Sequence, residues 1–301
     1  MRVTSQMISR SYLNNLNGRL TRINKLQNEI GSGSQLQNPS DDPTATTQVL
    51  KIQASLKRNE QYGRNIADGK YHLNMAESSI YEVQKITSRA RDLALMGSNG
   101  TYSADDRKTM AIEVNQLLEN MLTLTNGTTI DGYVFGGNQT DMEPFAAKRD
   151  SSNRITEVSV SGDVTGKITR NVGQNDSIDV NVDSGKILYG DKNIFQTLIE
   201  LRDTLEQGDL TKISNKIDDL DNVYDQTVNQ LGIIGAKGKY LDERKDQLDE
   251  ESFQLTSSLA EIQGTDLAKS IVQLQQEQLI YQAALSIGGE MLRTTLVNFL
   301  K

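Results

Sequence analysis

His72 is the only histidine in this 301-residue chain, and the chain has no cysteine. It precedes Leu73 in a stretch with helical patterning. A metal site or a catalytic imidazole requires partner groups, and neither thiolates nor a second imidazole is available here. We therefore interpret His72 as a surface or packing residue, and we expect no metal site.

Two short motifs resemble ligand-binding loops but lack the residues on which binding depends. Asp179–Asp183 has the acidic spacing of a calcium loop, yet its twelfth position is Gly190 rather than a bidentate Glu. Gly235–Lys239 is similar to a phosphate loop, but Ile233 replaces the first glycine and Tyr240 replaces the hydroxyl residue. We interpret the first motif as a strand with polar alternation and the second as a flexible junction between helices.

Asp41 and Asp42 are adjacent in a turn, which is not enough for acid–base catalysis, because neighbouring side chains need not converge. Pro43 follows directly, so capping of the next helix by these carboxylates is the simpler interpretation. No catalytic constellation or cofactor motif remains, and we expect a protein that is not an enzyme.

Composition excludes several other classes of protein. The net charge is −8, and an acidic chain lacks the basic patch that nucleic-acid binding requires. No segment approaches the roughly 18 apolar residues of a membrane span. Residues 1–11 have no apolar core, so we expect no cleaved secretory signal peptide.

Both ends of the chain have the heptad patterning of helices that pack against other helices. In the N-terminal part the apolar positions are Leu13, Leu16, Leu20, Ile23 and Ile30, ahead of a helix stop at 31–34. In the C-terminal part they are Leu241, Leu248, Leu255 and Ile262, then, beyond a break at Gly264, Leu267, Ile271, Leu274, Tyr281, Leu285, Leu292 and Phe299. Gly288 occupies one position of this pattern without an apolar side chain. Such stripes need partner helices to bury them.

Between the ends, the pattern predicts further helices and a β-rich insert. One apolar stripe runs from Val49 to Leu93, and Ser103–Asp106 predicts a capping box that opens another helix. Helical patterning resumes at Asn193. Short β-prone runs occupy 134–135, 155–160, 164–168, 178–182 and 187–189.

The simplest partner for the N-terminal stripe is the C-terminal one. We predict a mainly α fold with a small β-rich insert: an elongated antiparallel coiled coil or helical bundle formed by the paired N- and C-terminal segments. Periodicity alone does not separate an internal core from packing between subunits.

Several segments resemble the bacterial flagellin family, and within it the proteins of the hook–filament junction. They are Met1–Ile8, Asn38–Pro43, Asp131–Asn138, Pro144–Phe145, Asn193–Leu198, Gly232–Lys237, Asp266–Lys269, Tyr281–Leu285 and Thr295–Leu300. The resemblance covers almost the whole chain and is weakest over about 146–185. It implies a flagellin-like fold with three parts: a terminal coiled coil (1–40 with 266–301), a helical bundle (41–135 with 191–265) and a β-rich domain (136–190).

The resemblance also implies a function: a structural adaptor of the bacterial flagellum, secreted through the type III export route. Its partners would be hook-associated protein 1 (FlgK), flagellin, copies of itself in a ring, and an export chaperone on the C-terminal helix. The residues we expect at subunit interfaces are Val3, Met7, Leu16, Leu20, Ile23, Leu274, Tyr281, Leu285, Leu292, Leu296 and Phe299. Flagellin itself, the filament subunit, is the alternative. A second alternative is a coiled-coil segment of an enzyme or of a receptor. The enzyme is disfavoured because the chain has no catalytic constellation, and the receptor because the chain has no membrane span.

Overall fold

The structure is a computed structural model that describes the backbone of residues 2–129 and 131–297. It describes the side chains of these residues except those of 2–6, 8 and 290–297. The helices of this described part are α1 (Arg2–Ser32), α2 (Pro43–Ser98), α3 (Ala104–Thr125), α4 (Ser184–Leu188), α5 (Ile194–Gln207), α6 (Leu210–Gln263) and α7 (Leu267–Val297). The strands are β1 (Thr128–Thr129), β2 (Gly132–Tyr133), β3 (Phe145–Arg149), β4 (Ile155–Val160), β5 (Thr169–Gly173) and β6 (Asp176–Asp179). The predicted fold class, mainly α with a small β-rich part, is confirmed.

The chain divides into two compact units. The terminal unit comprises Met1–Arg58 and Glu250–Lys301, and the central unit comprises Asn59–Asp249. Both boundaries fall inside long helices, α2 and α6, so sequence composition gives no sign of them. The three-part division drawn from the resemblance stays a prediction.

In the terminal unit, α1 and α7 lie antiparallel. The Tyr12 hydroxyl donates a hydrogen bond to the carbonyl of Ala284. About two turns away on each helix, the Arg19 guanidinium pairs with the Glu277 carboxylate at 2.9 Å. A side chain at Gly288 would meet the Tyr12 ring, because an added Cβ would lie 2.4 Å from its hydroxyl oxygen. This close approach explains why the heptad pattern carries glycine there.

The turn before α2 is held by the two aspartates that sequence analysis assigned to capping. Asp42 accepts hydrogen bonds from the backbone N–H groups of Thr44 and Ala45, both at 2.9 Å, so its helix-capping role is confirmed. Asp41 accepts the N–H of Asn38 at 2.9 Å and pairs with Lys25 at 3.1 Å. These contacts, the backbone one foremost, lower the pKa of Asp41 below its ordinary value.

The core of the central unit is built by α2, α3, α5 and α6. Its apolar side chains, each at most 1% exposed, include Ile66, Leu73, Ile80, Leu93, Val114, Leu118, Leu198, Leu201, Leu220 and Leu241. The capping box predicted for this unit is confirmed, since Ser103 forms it with Asp106. The structure also shows that Asn193 caps α5. The apolar pattern of these helices is therefore satisfied within the chain.

In the described residues of the middle segment, the strands form three antiparallel hairpins, β1–β2, β3–β4 and β5–β6. The prediction of a strand at 155–160 is confirmed. Strands predicted at 134–135, 164–168 and 187–189 are wrong. Asp183 accepts the N–H of Lys186 and so caps α4, which makes the last of these runs helical.

The turn after β1 depends on glycine. Gly132 has φ of 107° and Gly137 has φ of 62°, a region that side chains disfavour. A Cβ at Gly132 would also lie 2.0 Å from the Thr140 carbonyl oxygen. With both glycines, the turn carries Phe135 into the core, where it is fully buried.

Candidate subunit-interaction surface

The terminal unit leaves a large apolar surface uncovered on its two outer helices, which we call the terminal apolar surface. It consists of Met7, Leu13, Leu20, Leu267, Ile271, Val272, Leu279, Ile280, Leu285 and Ile287, each 40–67% exposed. Of the large apolar side chains described in α1 and α7, Ile23 is the one that is buried, at 6% exposure. Exposed large apolar side chains in this number make the two helices a candidate interaction surface.

The structure distributes the predicted interface residues over three environments. Met7, Leu20 and Leu285 are exposed, whereas Leu16, Leu274 and Tyr281 are half-buried in the helix pair. Ile23 packs inside the terminal unit. The side chains of Val3, Leu292 and Leu296, and all of Phe299, lie outside the described residues.

Sequence reasoning missed two strongly exposed apolar residues of the terminal unit. Phe253 in α6 is 71% exposed and Leu50 in α2 is 60% exposed. Both fall between positions of the heptad pattern, next to residues that follow it, such as Val49 and Leu255. These two residues could have been found as large apolar residues outside the heptad positions, on the helix face that is normally exposed to solvent.

The segment 235–239 lies inside α6 and is helical throughout, so the interpretation as a flexible junction is wrong. Lys237 instead points to the β-rich part, where its ammonium group donates to the Asn181 carbonyl oxygen at 3.3 Å. Burial lowers the pKa of Lys237. In the same cleft, Asp179 pairs with Lys167 at 2.7 Å.

His72 lies between two carboxylates that sequence analysis did not connect with it. Its Nε2 atom is 3.8 Å from Asp68 Oδ1 and 3.7 Å from Asp131 Oδ2. Asp68 precedes His72 by one helical turn, which was a local signal, but Asp131 is brought in by the β1–β2 turn. One ligand atom from each residue lies within 4.8 Å of the others, which makes the group a candidate metal site.

Among the described residues, no helix combines the length and apolarity that crossing a membrane requires.

Residues 3–140 match the model of the bacterial flagellin N-terminal helical region. Flagellar hook-associated protein 3 of Escherichia coli is 30% identical over 152 residues, which are 50% of this chain and 47% of that protein. A flagellin of Halalkalibacterium halodurans is 22% identical over 270 residues, 90% of this chain and 88% of its own. This chain spans about half the length of the hook-associated proteins that it matches.

The solved structure of FlgL from Xanthomonas campestris has the same fold. It aligns with a TM-score of 0.61 and 13% identity, covering 69% of this chain and 99% of that one. The chain is thus similar to the bacterial flagellin N-terminal helical region over residues 3–140 and to flagellar hook-associated protein 3 over about half of its length, which confirms the resemblance predicted from the sequence.

Proposed function

We propose that this chain is a structural subunit of the bacterial flagellum and acts as an adaptor at the hook–filament junction, not as an enzyme. The observation that carries the proposal is the terminal apolar surface, since a two-helix pair cannot bury its own outer stripes. Copies of the same chain, hook-associated protein 1 and flagellin are the occupants that the proposal assigns to this surface.

Assembly couples folding to packing. Within the terminal unit, polar contacts such as the pair Arg19–Glu277 fix the register of α1 against α7. Exposed ion pairs contribute little stability, at most about 1 kcal/mol. The apolar side chains remain exposed to solvent until a neighbouring subunit packs against them. Helices of this kind gain most of their stability from the packing of an apolar face. The interface residues predicted from the sequence are part of this proposal.

The proposal keeps the division into three parts and the export of the chain to the outside of the cell through the flagellar type III route. A chaperone bound to the C-terminal helix would prevent its apolar residues from associating with other chains before export. Leu279 and Leu285, which are 66% and 49% exposed on α7, are suitable anchors for such a chaperone.

Flagellin itself is the second candidate, because a flagellin aligns with this chain over most of its length. Deleting the gene separates the two. A junction subunit is needed to start the filament, so we expect hooks without filaments and flagellin released into the medium. Absence of flagellin from both cell and medium would mean that this chain is the filament subunit.

The role of the terminal apolar surface is tested by one pair of variants. Leu285→Asp places a charge on the exposed stripe of α7, whereas Gln282→Asp places the same charge on an exposed polar position nearby. We expect both purified chains to fold, and only Leu285→Asp to fail to restore filaments in the deletion strain. Full restoration by Leu285→Asp would contradict the proposed packing.

A truncation adds an independent measurement. Deleting residues 275–301 removes most of α7 but leaves the central unit whole. We expect the truncated chain to unfold cooperatively in urea and to be absent from purified hook–filament junctions. Incorporation at the level of the full chain would reject the proposal.

A further inference from the structure

We propose that Asp68, His72 and Asp131 form a binding site for one divalent transition-metal ion of the zinc and manganese class. The three residues lie in the central unit, and their ligand atoms gather within 4.8 Å. The side chains of His72, Asp68 and Asp131 are 16%, 38% and 51% exposed, so the site is partly open to water. The inference does not depend on the role of the chain in the flagellum.

The elements hold these side chains in position before any ion arrives. Asp68 and His72 are one turn apart on α2, a spacing that places both on the same helix face. Asp131 opens the tight turn in which Gly132 has positive φ. His72 and Asp131 line one cleft together with Tyr133.

The two oxygens of the Asp68 carboxylate face different partners. Its Oδ1 atom faces His72, whereas its Oδ2 atom accepts a hydrogen bond from Arg170 Nε at 2.6 Å. Carboxylate ligands of metals are commonly oriented by such an outer contact. Arg170, on β5, is therefore a positioning residue that would fix the direction of the Asp68 oxygen.

The donor set selects the class of ion. One imidazole and two carboxylates suit zinc or manganese, while calcium and magnesium prefer oxygen ligands alone. Metal–ligand bonds of about 2.0–2.2 Å place neighbouring ligand atoms roughly 3.4 Å apart in a tetrahedron. The distances of 3.7 and 3.8 Å from His72 Nε2 to the two carboxylates are close to this spacing. Water would complete the coordination on the exposed side.

The competing explanation is a histidine that pairs with its carboxylates through a proton and binds no ion. The two differ in a measurable way, because His72 is the only histidine and its ring signals can be followed alone by NMR in the full chain. After chelator treatment and dialysis, zinc chloride is titrated by calorimetry and NMR, manganese chloride by calorimetry and paramagnetic broadening, and magnesium chloride serves as the comparator.

We expect one equivalent of zinc to bind saturably and to shift the His72 ring signals, with manganese broadening them and magnesium doing neither. Asp131→Asn should weaken zinc affinity at least 10-fold, and Arg170→Gln by about 10–100-fold. The control Asp141→Asn removes an exposed carboxylate of the neighbouring loop and should leave affinity unchanged.

Three results would overturn the site: no saturable binding, binding that leaves the His72 signals in place, or equal affinities for Asp131→Asn and the wild type. His72→Gln is a second test of the ligand set, checked for folding by circular dichroism. If that variant does not fold, the comparison of Asp131→Asn with Asp141→Asn decides, since both positions are exposed and neither change threatens the core.

Discussion

Replacing Phe195 by Ala removes the centre of an aromatic cluster that joins α5 to the β-rich part. The Phe195 ring lies 5.6 Å from that of Phe145 and 6.0 Å from that of Tyr189. Phe195 is 1% exposed, and the Tyr189 hydroxyl donates to the carbonyl of Val158 at 3.1 Å. Burial also raises the pKa of Tyr189 to about 12, as expected for a hydroxyl packed among apolar rings.

The expected cost follows from this packing. Truncating a buried Phe to Ala typically lowers the free energy of unfolding by about 3–5 kcal/mol, because a cavity remains where the ring was. Two ring–ring contacts are lost as well, each worth about 0.5–1.5 kcal/mol beyond area burial. We therefore expect a loss near the upper end, about 4–5 kcal/mol. For a unit of this size, that lowers the melting temperature by about 8–20 °C.

Phe253→Ala is the matched control, since the same atoms are removed from a side chain that is 71% exposed. Its free energy of unfolding should change by no more than about 0.5 kcal/mol. Both variants are measured by urea unfolding with circular dichroism and by calorimetry. A loss below about 1 kcal/mol at Phe195, or equal losses at the two positions, would refute the assignment of the core to this cluster.

Two further predictions concern α2 and the turn before it. Gly97→Ala would bring a Cβ within 2.3 Å of Leu205 Cδ2 and should cost about 1–3 kcal/mol in urea unfolding, whereas Gly63→Ala meets open space and should gain up to about 1 kcal/mol; a gain at both positions would contradict the close packing at Gly97. The Asn38 N–H and then Lys25 lower the pKa of Asp41 from 3.8, so these contacts stabilise the turn above about pH 4 and are lost as the pH falls through the lowered folded value. An NMR titration of the Asp41 carboxyl carbon should have its midpoint below 3.8, and a midpoint at or above that value would reject the hydrogen bonds.

Local signals in the sequence were enough for the starts of two long helices. The capping residues Asp42 and Ser103 each begin a helix as predicted, because a cap is a contact between residues two or three apart. The strands were harder. At 187–189 apolar residues favour a strand, but the carboxylate of Asp183 starts a helix one residue later, and a capping contact outweighs a weak β preference.

The candidate surfaces were predictable only in part, for the same reason. A heptad pattern predicts which apolar residues become buried, but it does not predict whether the same chain or another subunit buries them. Ile23 is buried within the terminal unit, whereas Leu20, one turn earlier, remains exposed. The group around His72 was beyond sequence reasoning, because Asp131 reaches it only through the fold of a turn 59 residues further along the chain.

The two units also differ in how they use apolar residues, and this difference accounts for the distribution of burial. In the central unit, helices α2, α3, α5 and α6 bury their stripes against one another, so truncation there costs stability. In the terminal unit, α1 and α7 are 31 residues each, about 46 Å long, and only some of their apolar residues, such as Ile23, are buried. Truncation of their exposed residues removes little from the free energy of unfolding. Large apolar side chains at such positions contribute little to the stability of the free chain, and under the proposed function they contribute where a neighbouring subunit covers them.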